Sequence, residues 1–312
     1  MKFYKEAGQL SVQRLADRFV GEIQNFRISE STVAAHWGDI AQAYLDHKVL
    51  VLRKQNITVK EFSAFGEIFG SAEEHHVLAM RHPEISTLTV LSNQSEIGRN
   101  PVMKYFGDGW HADSSYKAIP ANATMLLGTE IPDEGGDTLF ANVEAAFDDL
   151  PELTKANLRT MRMRHQYRWS PDREDPWARW KFVGEVERRS TPEVVHPLVR
   201  KHPETGKETL HIAPRIIGSV IGVEGMDWDS SNALIDDLMG HITSEQYLYR
   251  HRWMPNDVIV WDNRCLLHSA TTRELPQHKV RRLVRITTTG TPVVAACDSA
   301  GATMVVPDPE FA

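Results

Sequence analysis

Apolar residues recur at helical spacing in the first third of the chain. They fall three or four positions apart from Thr32 to His47, which predicts a helix. Four consecutive apolar residues, Val49–Leu52, then predict a short strand. The segment EFSAFGEIFG returns to helical spacing, and Gly70 at its end is a plausible C-cap. We therefore expect a helical N-terminal part over about residues 1–85.

After about residue 85, short β-prone runs are separated by Pro and Gly, and helical stretches interrupt them at roughly 142–160 and 229–242. Many short strands of this kind are typical of a double-sheet jelly roll. We predict one domain over residues 1–312 that is mainly β with flanking helices, as a double-stranded β-helix (jelly roll, cupin-like). The predicted strands lie in ISTLTVLS, NATMLLGTEI, LRTMRMRHQYR, ETLHIAP, DVIVWDN and LVRITTTG.

The segment from 169 to 193, WSPDREDPWARWKFVGEVERRSTPE, has no clean period. Three tryptophans stand among mixed charges, and such a long irregular stretch is either a mobile lid over a site or a solvated excursion of the chain. Both interpretations are open from the sequence.

The charge balance is acidic, with 35 basic against 42 acidic residues and a formal net charge of −7. This argues against a nucleic-acid partner, which would need a positive surface. The first twenty residues lack the apolar core of a signal peptide, and no later stretch reaches membrane-spanning length. The two cysteines, Cys265 and Cys297, fit a reducing compartment. We expect a cytoplasmic protein with a small-molecule substrate and no membrane partner, as a symmetric homo-oligomer.

The stretch GWHADSSY, residues 109–116, combines His111 and Asp113 two positions apart. In a β-strand such side chains point to the same face, so both could hold one metal ion, with Trp110 packed behind them. On its own the pair is weak evidence, because such pairs usually end as a surface hydrogen bond.

A second histidine, His268, follows an apolar strand and a turn in VIVWDNRCLLHSA. Two imidazoles and one carboxylate on one face of a metal form the facial triad of non-haem Fe(II) oxygenases, which leaves three positions open. Bidentate 2-oxoglutarate can fill two of them and dioxygen the third. Two other classes compete: a zinc hydrolase with the same ligands, and a non-catalytic jelly-roll protein that keeps a metal for stability.

The run RRLVRITTTG, residues 281–290, predicts a strand with Arg281, Leu283 and Arg285 on one face. Guanidinium forks match carboxylates bidentately, so Arg281 is a candidate for binding the distal carboxylate of 2-oxoglutarate. The alternative is a basic surface strand paired with local Glu and Asp.

Several separate motifs together resemble the taurine dioxygenase / aryloxyalkanoate dioxygenase (TauD/TfdA-like) family of Fe(II)- and 2-oxoglutarate-dependent oxygenases. The resemblance runs from about residue 30 to 292, through WHADSSY, PDEGGDTLFANVEAAFDDLP, HPLVRKHPETGKETLHI, YRHRWMPNDVIVWDNRCLLH and RRLVRITTTG. It implies an enzyme that uses Fe(II), 2-oxoglutarate and dioxygen. It also implies iron ligation by His111, Asp113 and His268, with co-substrate contacts from Thr138, Arg281 and Arg285.

The resemblance further suggests substrate contacts. Arg285 could meet the acidic group of the prime substrate, and His75 matches a substrate-contacting histidine, although the adjacent His76 leaves the register open. Trp261 either walls the pocket or is a core tryptophan. Gly107 replaces an asparagine of the taurine-type pattern, which argues against a taurine-shaped pocket. We read His196, His202 and His211 as structural.

The resemblance implies hydroxylation as the default reaction, with bond cleavage where the hydroxylated carbon bears oxygen, nitrogen or sulfur. An anionic substrate is favoured, such as an aryloxyalkanoate, a sulfonate or a sulfate ester. An amino-acid or natural-product hydroxylase of the same family is the alternative.

Overall fold

The computed structural model describes residues 10–16, 19–75, 78–94, 107–167, 191–214, 220–276 and 278–307. The lid predicted at 169–193 lies outside these residues except for its last three positions. No helix in the described part of the chain is both long and apolar enough to traverse a bilayer.

The described residues form five α-helices, numbered α1 to α5: Glu30–His47, Val59–Glu67, Val143–Asp148, Glu152–Leu158 and Trp228–Ile242. Each of the first two begins with a capping box. The Ser29 hydroxyl accepts the Thr32 backbone N–H and the Thr32 hydroxyl accepts that of Ser29; Thr58 and Glu61 make the same exchange. Such reciprocal bonds satisfy backbone donors that a helix start leaves free.

Gly70 does not cap α2, because the helix ends at Glu67. Beyond it the backbone tightens, with Phe69 N–H donating to Gly66 O and Gly70 N–H donating to Glu67 O. Gly70 has a φ of +137°, a conformation that other residues rarely adopt. The glycine therefore serves the connection after the helix.

The described residues also form seventeen strands, numbered β1 to β17: Ser11–Ala16, Val20–Gln24, Val49–Leu52, Leu88–Ser92, Ala121–Glu130, Thr138–Asn142, Arg162–His165, Glu193–Pro197, Val199–Lys201, Glu208–Leu210, Val220–Val223, Leu248–His251, Val258–Asp262, Leu266–Ala270, Arg282–Thr289, Val294–Ala295 and Met304–Val306. Strands β4, β5, β7, β10, β13 and β15 coincide with the six predicted runs. The expectation of a mainly β protein with helices is confirmed.

The strands form one large sheet and three small ones. The seven-stranded sheet has the order β1-β2-β3-β13-β5-β15-β4, and the small sheets are β12-β6-β14, β10-β9-β16 and β11-β7-β8-β17. Neighbouring strands run antiparallel except for β2 and β3. Strand β14, which carries His268, therefore belongs to a different sheet from β13, although only the turn 263–265 separates them.

The expectation of a helical N-terminal part is wrong for residues 11–16 and 20–24. These residues form the antiparallel pair β1 and β2 at the edge of the seven-stranded sheet. Strand β1 is largely exposed, so its sequence carries little of the apolar alternation that marks a half-buried strand. Backbone pairing with β2 holds the segment, while Val12 and Leu15 pack against the apolar clusters of the sheet.

Two apolar layers lie on opposite faces of the seven-stranded sheet. One face packs against α1 and α2 through Ile40, Phe62, Phe65 and Ile286. The other face packs against the β12-β6-β14 sheet, where Trp261 and Leu283 meet Phe140 and Leu266. The ring of His268 meets this second layer at Trp261 and Phe140.

We predict that Ile286→Ala strongly destabilises the fold. Ile286 is fully buried, and a Cβ added to Gly66 of α2 would lie 2.5 Å from its Cδ1, so the helix backbone rests directly on this side chain. The free energy of unfolding should fall by about 2–5 kcal/mol in urea denaturation. Leu153→Ala is the control, because Leu153 is 77% exposed and its loss should cost less than about 0.5 kcal/mol. Equal losses would contradict the packing described for α2.

Candidate active site

His111 and His268 are joined by an isolated antiparallel bridge between two distant parts of the chain. The His111 N–H donates to His268 O at 2.9 Å, and the His268 N–H donates to His111 O at 2.8 Å. Both imidazoles lie on the same side of this bridge, with ring centroids 4.1 Å apart. The backbone pairing thus brings the two predicted histidine ligands together from distant parts of the sequence.

Asp113 reaches these imidazoles from a turn, so the prediction of a continuous strand through His111 and Asp113 is wrong. Strand pairing stops at His111, and Ser114 has a φ of +56°. The Asp113 N–H donates to Asn263 Oδ1 at 3.1 Å, which holds the start of the turn against the β13–β14 connection. The carboxylate then lies 3.8 Å from each imidazole, with Oδ1 near His111 Nε2 and Oδ2 near His268 Nε2.

The donor set of this triad fits a divalent metal ion. One ligand atom from each of His111, Asp113 and His268 lies within 4.8 Å of the others. The Nδ1–H of His111 donates to Gly109 O at 2.8 Å, which leaves the Nε2 lone pair available. Burial lowers the pKa of both imidazoles, which favours the neutral form that binds metals.

The Asp113 carboxylate is kept ionised by its surroundings. Burial alone would raise its pKa, but the Arg285 guanidinium, which donates to Oδ1 at 3.2 Å, holds the pKa of Asp113 well below its usual value. The Thr124 hydroxyl donates to Oδ2 at 2.7 Å. Each Asp113 oxygen therefore accepts one hydrogen bond, and these two bonds orient the carboxylate towards the imidazoles.

Thr124 and Asn263 are contacts that the sequence reasoning did not identify. The Asn263 amide donates to Thr124 Oγ1 at 2.9 Å, and the Trp261 indole N–H donates to Asn263 Oδ1 at 3.1 Å. Because Thr124 Oγ1 accepts this bond, its own proton is directed to Asp113. Asn263 could have been suspected from its place in the WDN turn, whereas Thr124 is one polar residue within the apolar run of β5.

Arg281, Thr138 and Gly136 form a second polar group. Arg281 is buried; its Nε donates to Gly136 O at 2.6 Å, and its Nη2 lies 3.4 Å from Thr138 Oγ1. A Cβ on Gly136 would lie 2.8 Å from Arg281 Cδ, so only glycine allows this approach. None of the described carboxylates forms an ion pair with Arg281; burial lowers the pKa of Arg281 to about 10, against a weaker opposing effect of the Asp137 charge.

The two predicted arginines of the β15 segment both face the layer between the sheets, yet they have different partners. Arg285 binds Asp113, while Arg281 binds a backbone carbonyl and a hydroxyl. They are four positions apart, so their Cα atoms lie about 13 Å apart along an extended strand. The alternative of an exposed basic strand is wrong for both side chains.

Trp261 and His75 occupy different settings. Trp261 is a buried core residue whose ring lies 4.6 Å from that of His268, so it packs behind the triad. His75 lies half-buried in the segment after α2, where its carbonyl accepts a bond from Arg81 at 2.7 Å. That segment is tied to the turn after Asp113 through the ion pair of Glu73 and Lys117. A substrate contact from His75 stays a prediction.

A second set of possible ligands, His202, Asp262 and Cys265, does not fit a metal ion. Arg264 donates to both Asp262 oxygens, at 2.8 and 2.7 Å, and His202 Nε2 donates to Oδ2 at 2.9 Å. Burial raises the pKa of Cys265 well above its usual value, so the thiol stays protonated. These contacts brace the turn that presents His268.

His196 and His211 make contacts that are typical of structural residues. His196 donates from Nε2 to Lys117 O at 3.0 Å, and its ring lies 4.6 Å from that of His211. Both are buried, and neither is among the described groups that could hold a metal ion.

We predict that Thr124→Val weakens metal binding about ten- to a hundredfold, because the Asp113 carboxylate loses the donor that orients it. Anaerobic titration with Fe(II), or with Co(II) as a spectroscopic probe, measures the dissociation constant. Thr129→Val is the matched control on the same strand, since the Thr129 hydroxyl donates only to Arg282 O at the exposed end of β5. Unchanged metal affinity in Thr124→Val would rule out this role.

Comparisons with known proteins agree with this geometry. The family model described as "Taurine catabolism dioxygenase TauD, TfdA family" matches residues 11–287. The (S)-phenoxypropionate/alpha-ketoglutarate-dioxygenase of Sphingobium herbicidovorans is 32% identical over 79% of this chain and 84% of its own length. The alpha-ketoglutarate-dependent 2,4-dichlorophenoxyacetate dioxygenase of a Burkholderia species is 30% identical over 87% of this chain and 92% of its own.

A solved structure is also similar. The crystal structure of AAD-2 in complex with Mn(II) and N-oxalylglycine has a TM-score of 0.75 at 25% identity, covering 91% of this chain and all of that one (100%). The chain belongs to the TauD/TfdA family and is a non-haem iron dioxygenase that uses Fe(II), 2-oxoglutarate and dioxygen.

Proposed function

We propose that His111, Asp113 and His268 hold the iron and that Arg281 and Thr138 bind the far carboxylate of 2-oxoglutarate. The observation that carries this proposal is the buried Arg281 guanidinium, which has no carboxylate partner among the described residues. A buried cation without an ion-paired carboxylate is costly, and a bound carboxylate would offset that cost.

With its co-substrates bound, the iron supplies oxidation of a substrate C–H bond, coupled to conversion of 2-oxoglutarate to succinate and carbon dioxide. The residues of the chain position the ligands and exclude water. Thr124 and Arg285 orient the Asp113 carboxylate, and the backbone bridge fixes the two imidazoles. Trp261 and Phe140 cover His268 with apolar surface, which excludes water from that side.

Hydroxylation is the proposed outcome, since the carboxylate of Asp113 takes the ligand position that halogenating relatives leave open for chloride. Where the new hydroxyl is placed on a carbon bearing oxygen, nitrogen or sulfur, the product breaks down and a bond is cleaved. Oxidation of an aryloxyalkanoate next to its ether oxygen would follow this route.

The proposed prime substrate is a small anion, with aryloxyalkanoates first and sulfonates or sulfate esters next. The support is the likeness to two dioxygenases named for phenoxypropionate and 2,4-dichlorophenoxyacetate. Arg285 and His75 are the proposed substrate contacts, although the known partner of Arg285 is Asp113. The alternative is a hydroxylase of the same family that acts on an amino acid or a natural product.

The competing classes lack a specific supporting observation. A zinc hydrolase or a non-catalytic metal protein could use the same triad, but neither needs Arg281 buried beside Thr138 without a carboxylate. Anaerobic addition of 2-oxoglutarate to the Fe(II) protein separates them, because only the oxygenase predicts a weak visible charge-transfer band.

We further propose that the seven-stranded and β12-β6-β14 sheets are the two halves of a double-stranded β-helix within one domain. The apolar layer of Trp261, Leu283, Phe140 and Leu266 between them supports this arrangement. A symmetric homo-oligomer and a cytoplasmic location remain part of the proposal. Both cysteines are free thiols, which suits a reducing compartment.

We predict that Arg281→Ala raises the 2-oxoglutarate concentration needed for half-maximal succinate formation about ten- to a hundredfold. This is the loss expected for removal of a charged hydrogen-bonding partner worth about 1.5–3 kcal/mol. Fe(II) affinity should not change, because Arg281 does not contact the triad ligands. Arg282→Ala is the control, since its guanidinium pairs with Glu130 at the edge of the sheet. Equal effects of the two changes would refute the assigned role.

A substrate panel tests the proposed class. Aryloxyacetates, aryloxypropionates, alkyl sulfonates, alkyl sulfates and free amino acids would be compared by succinate formed above the uncoupled background. We expect an aryloxyalkanoate to give the largest coupled signal. Coupling by amino acids alone would favour the alternative within the family.

A further inference from the structure

Thr138 has a partner that the sequence reasoning did not include. The Trp253 indole N–H donates to Thr138 Oγ1 at 3.0 Å, across 115 positions of sequence. Both side chains are buried, and Trp253 belongs to the apolar layer that contains Trp261 and Leu283. The bond therefore lies beside the Arg281 guanidinium, away from solvent.

The contacts of Thr138 define the direction of its proton. A threonine hydroxyl has one donor and two acceptor positions. Trp253 Nε1 and Arg281 Nη2 are both donors, so they occupy the acceptor side of Oγ1. No described residue accepts a bond from this hydroxyl. Its proton is therefore available to an anion that approaches Arg281.

The position of Trp253 is itself fixed. His251, two residues earlier, pairs with Thr138 between strands β12 and β6, and its ring meets the indole edge-on at 4.7 Å. A Cβ on Gly128 would lie 3.1 Å from Trp253 Cε3, so the indole packs closely against the β5 backbone at this glycine.

Asp257 holds the turn that follows Trp253. This fully buried carboxylate accepts the Met254 N–H at 2.8 Å and pairs with Arg53. The Asp257 carbonyl also accepts the Gly128 N–H at 2.9 Å. The turn is thus held by Gly128 of β5 and by Arg53, which directly follows β3. These contacts fix the backbone next to Trp253.

From these contacts we propose that Trp253 is a positioning residue for 2-oxoglutarate. Its N–H keeps the Thr138 hydroxyl oriented as a donor to the far carboxylate, in cooperation with Arg281. This rests on the proposed role of Thr138 and Arg281 as the carboxylate-binding pair. Trp253 itself need not touch the co-substrate.

The test is a double-mutant cycle with Trp253→Phe and Thr138→Val, read as the 2-oxoglutarate dissociation constant in anaerobic titrations of the Fe(II) protein. Phenylalanine keeps an aromatic ring but lacks the N–H. We expect Trp253→Phe to raise the dissociation constant about three- to tenfold, the effect of one buried hydrogen bond. In the Thr138→Val background the same change should raise it less than about twofold. The metal dissociation constant should be unaltered in every variant.

The outcomes separate this inference from the proposed function. If wild-type protein fails to bind 2-oxoglutarate, the proposed function is wrong. If wild-type binds and Trp253→Phe has no effect, or has the same effect with and without the Thr138 hydroxyl, the positioning role is wrong. Trp37→Phe is the control for loss of an indole N–H. Trp37 lies in α1, packs on Phe69 and is 40% exposed, so this change should leave 2-oxoglutarate binding unaltered. Urea denaturation checks that each variant is folded.

Discussion

Two backbone hydrogen bonds between His111 and His268 are the constraint on which the site depends. They join a loop to strand β14 and bring the two histidine backbones together, while the bond from His111 to Gly109 O and the packing of Trp261 on His268 hold the rings. A metal site built from flexible side chains would have to order them on binding, at the cost of conformational entropy. Here that ordering is largely accomplished by folding. The remaining contacts adjust one ligand, the Asp113 carboxylate, against this fixed pair.

Buried charge in the site is divided between two arginines of one segment. Arg285 contacts Asp113 and favours its ionised form, while Arg281 has only a backbone carbonyl and a hydroxyl as partners. A buried guanidinium without an ion-paired carboxylate is costly for stability, and the carboxylate of 2-oxoglutarate is the partner that we propose for it. One short segment thus provides a counter-ion for Asp113 at Arg285 and, four positions earlier, the group that we propose binds the anion, Arg281.

Two further carboxylates support the loops around the site. Asp262 is held by Arg264 and His202 in the turn before β14, and Asp257 is held by Arg53 in the turn before β13. Removing one member of such a buried pair leaves an uncompensated charge, so each network favours a single loop arrangement. The first turn presents His268 and Asn263, and the second follows Trp253. Neither network needs to contact a substrate to affect catalysis.

The sequence by itself determined the mainly β character, because strands such as β5, β13 and β15 carry dense apolar runs between Gly and Pro breaks. It also predicted site roles for His111, Asp113, His268 and Arg281 from their residue types and motifs, and the structure brings the first three together. It could not reveal that Asp113 lies in a turn, that β1 and β2 extend the sheet, or that Thr124, Asn263 and Trp253 form hydrogen bonds around the site. Those features depend on backbone pairing and on contacts between residues distant in sequence. Only the tertiary structure decides such contacts, because a local pattern records the burial of a residue but not its partner.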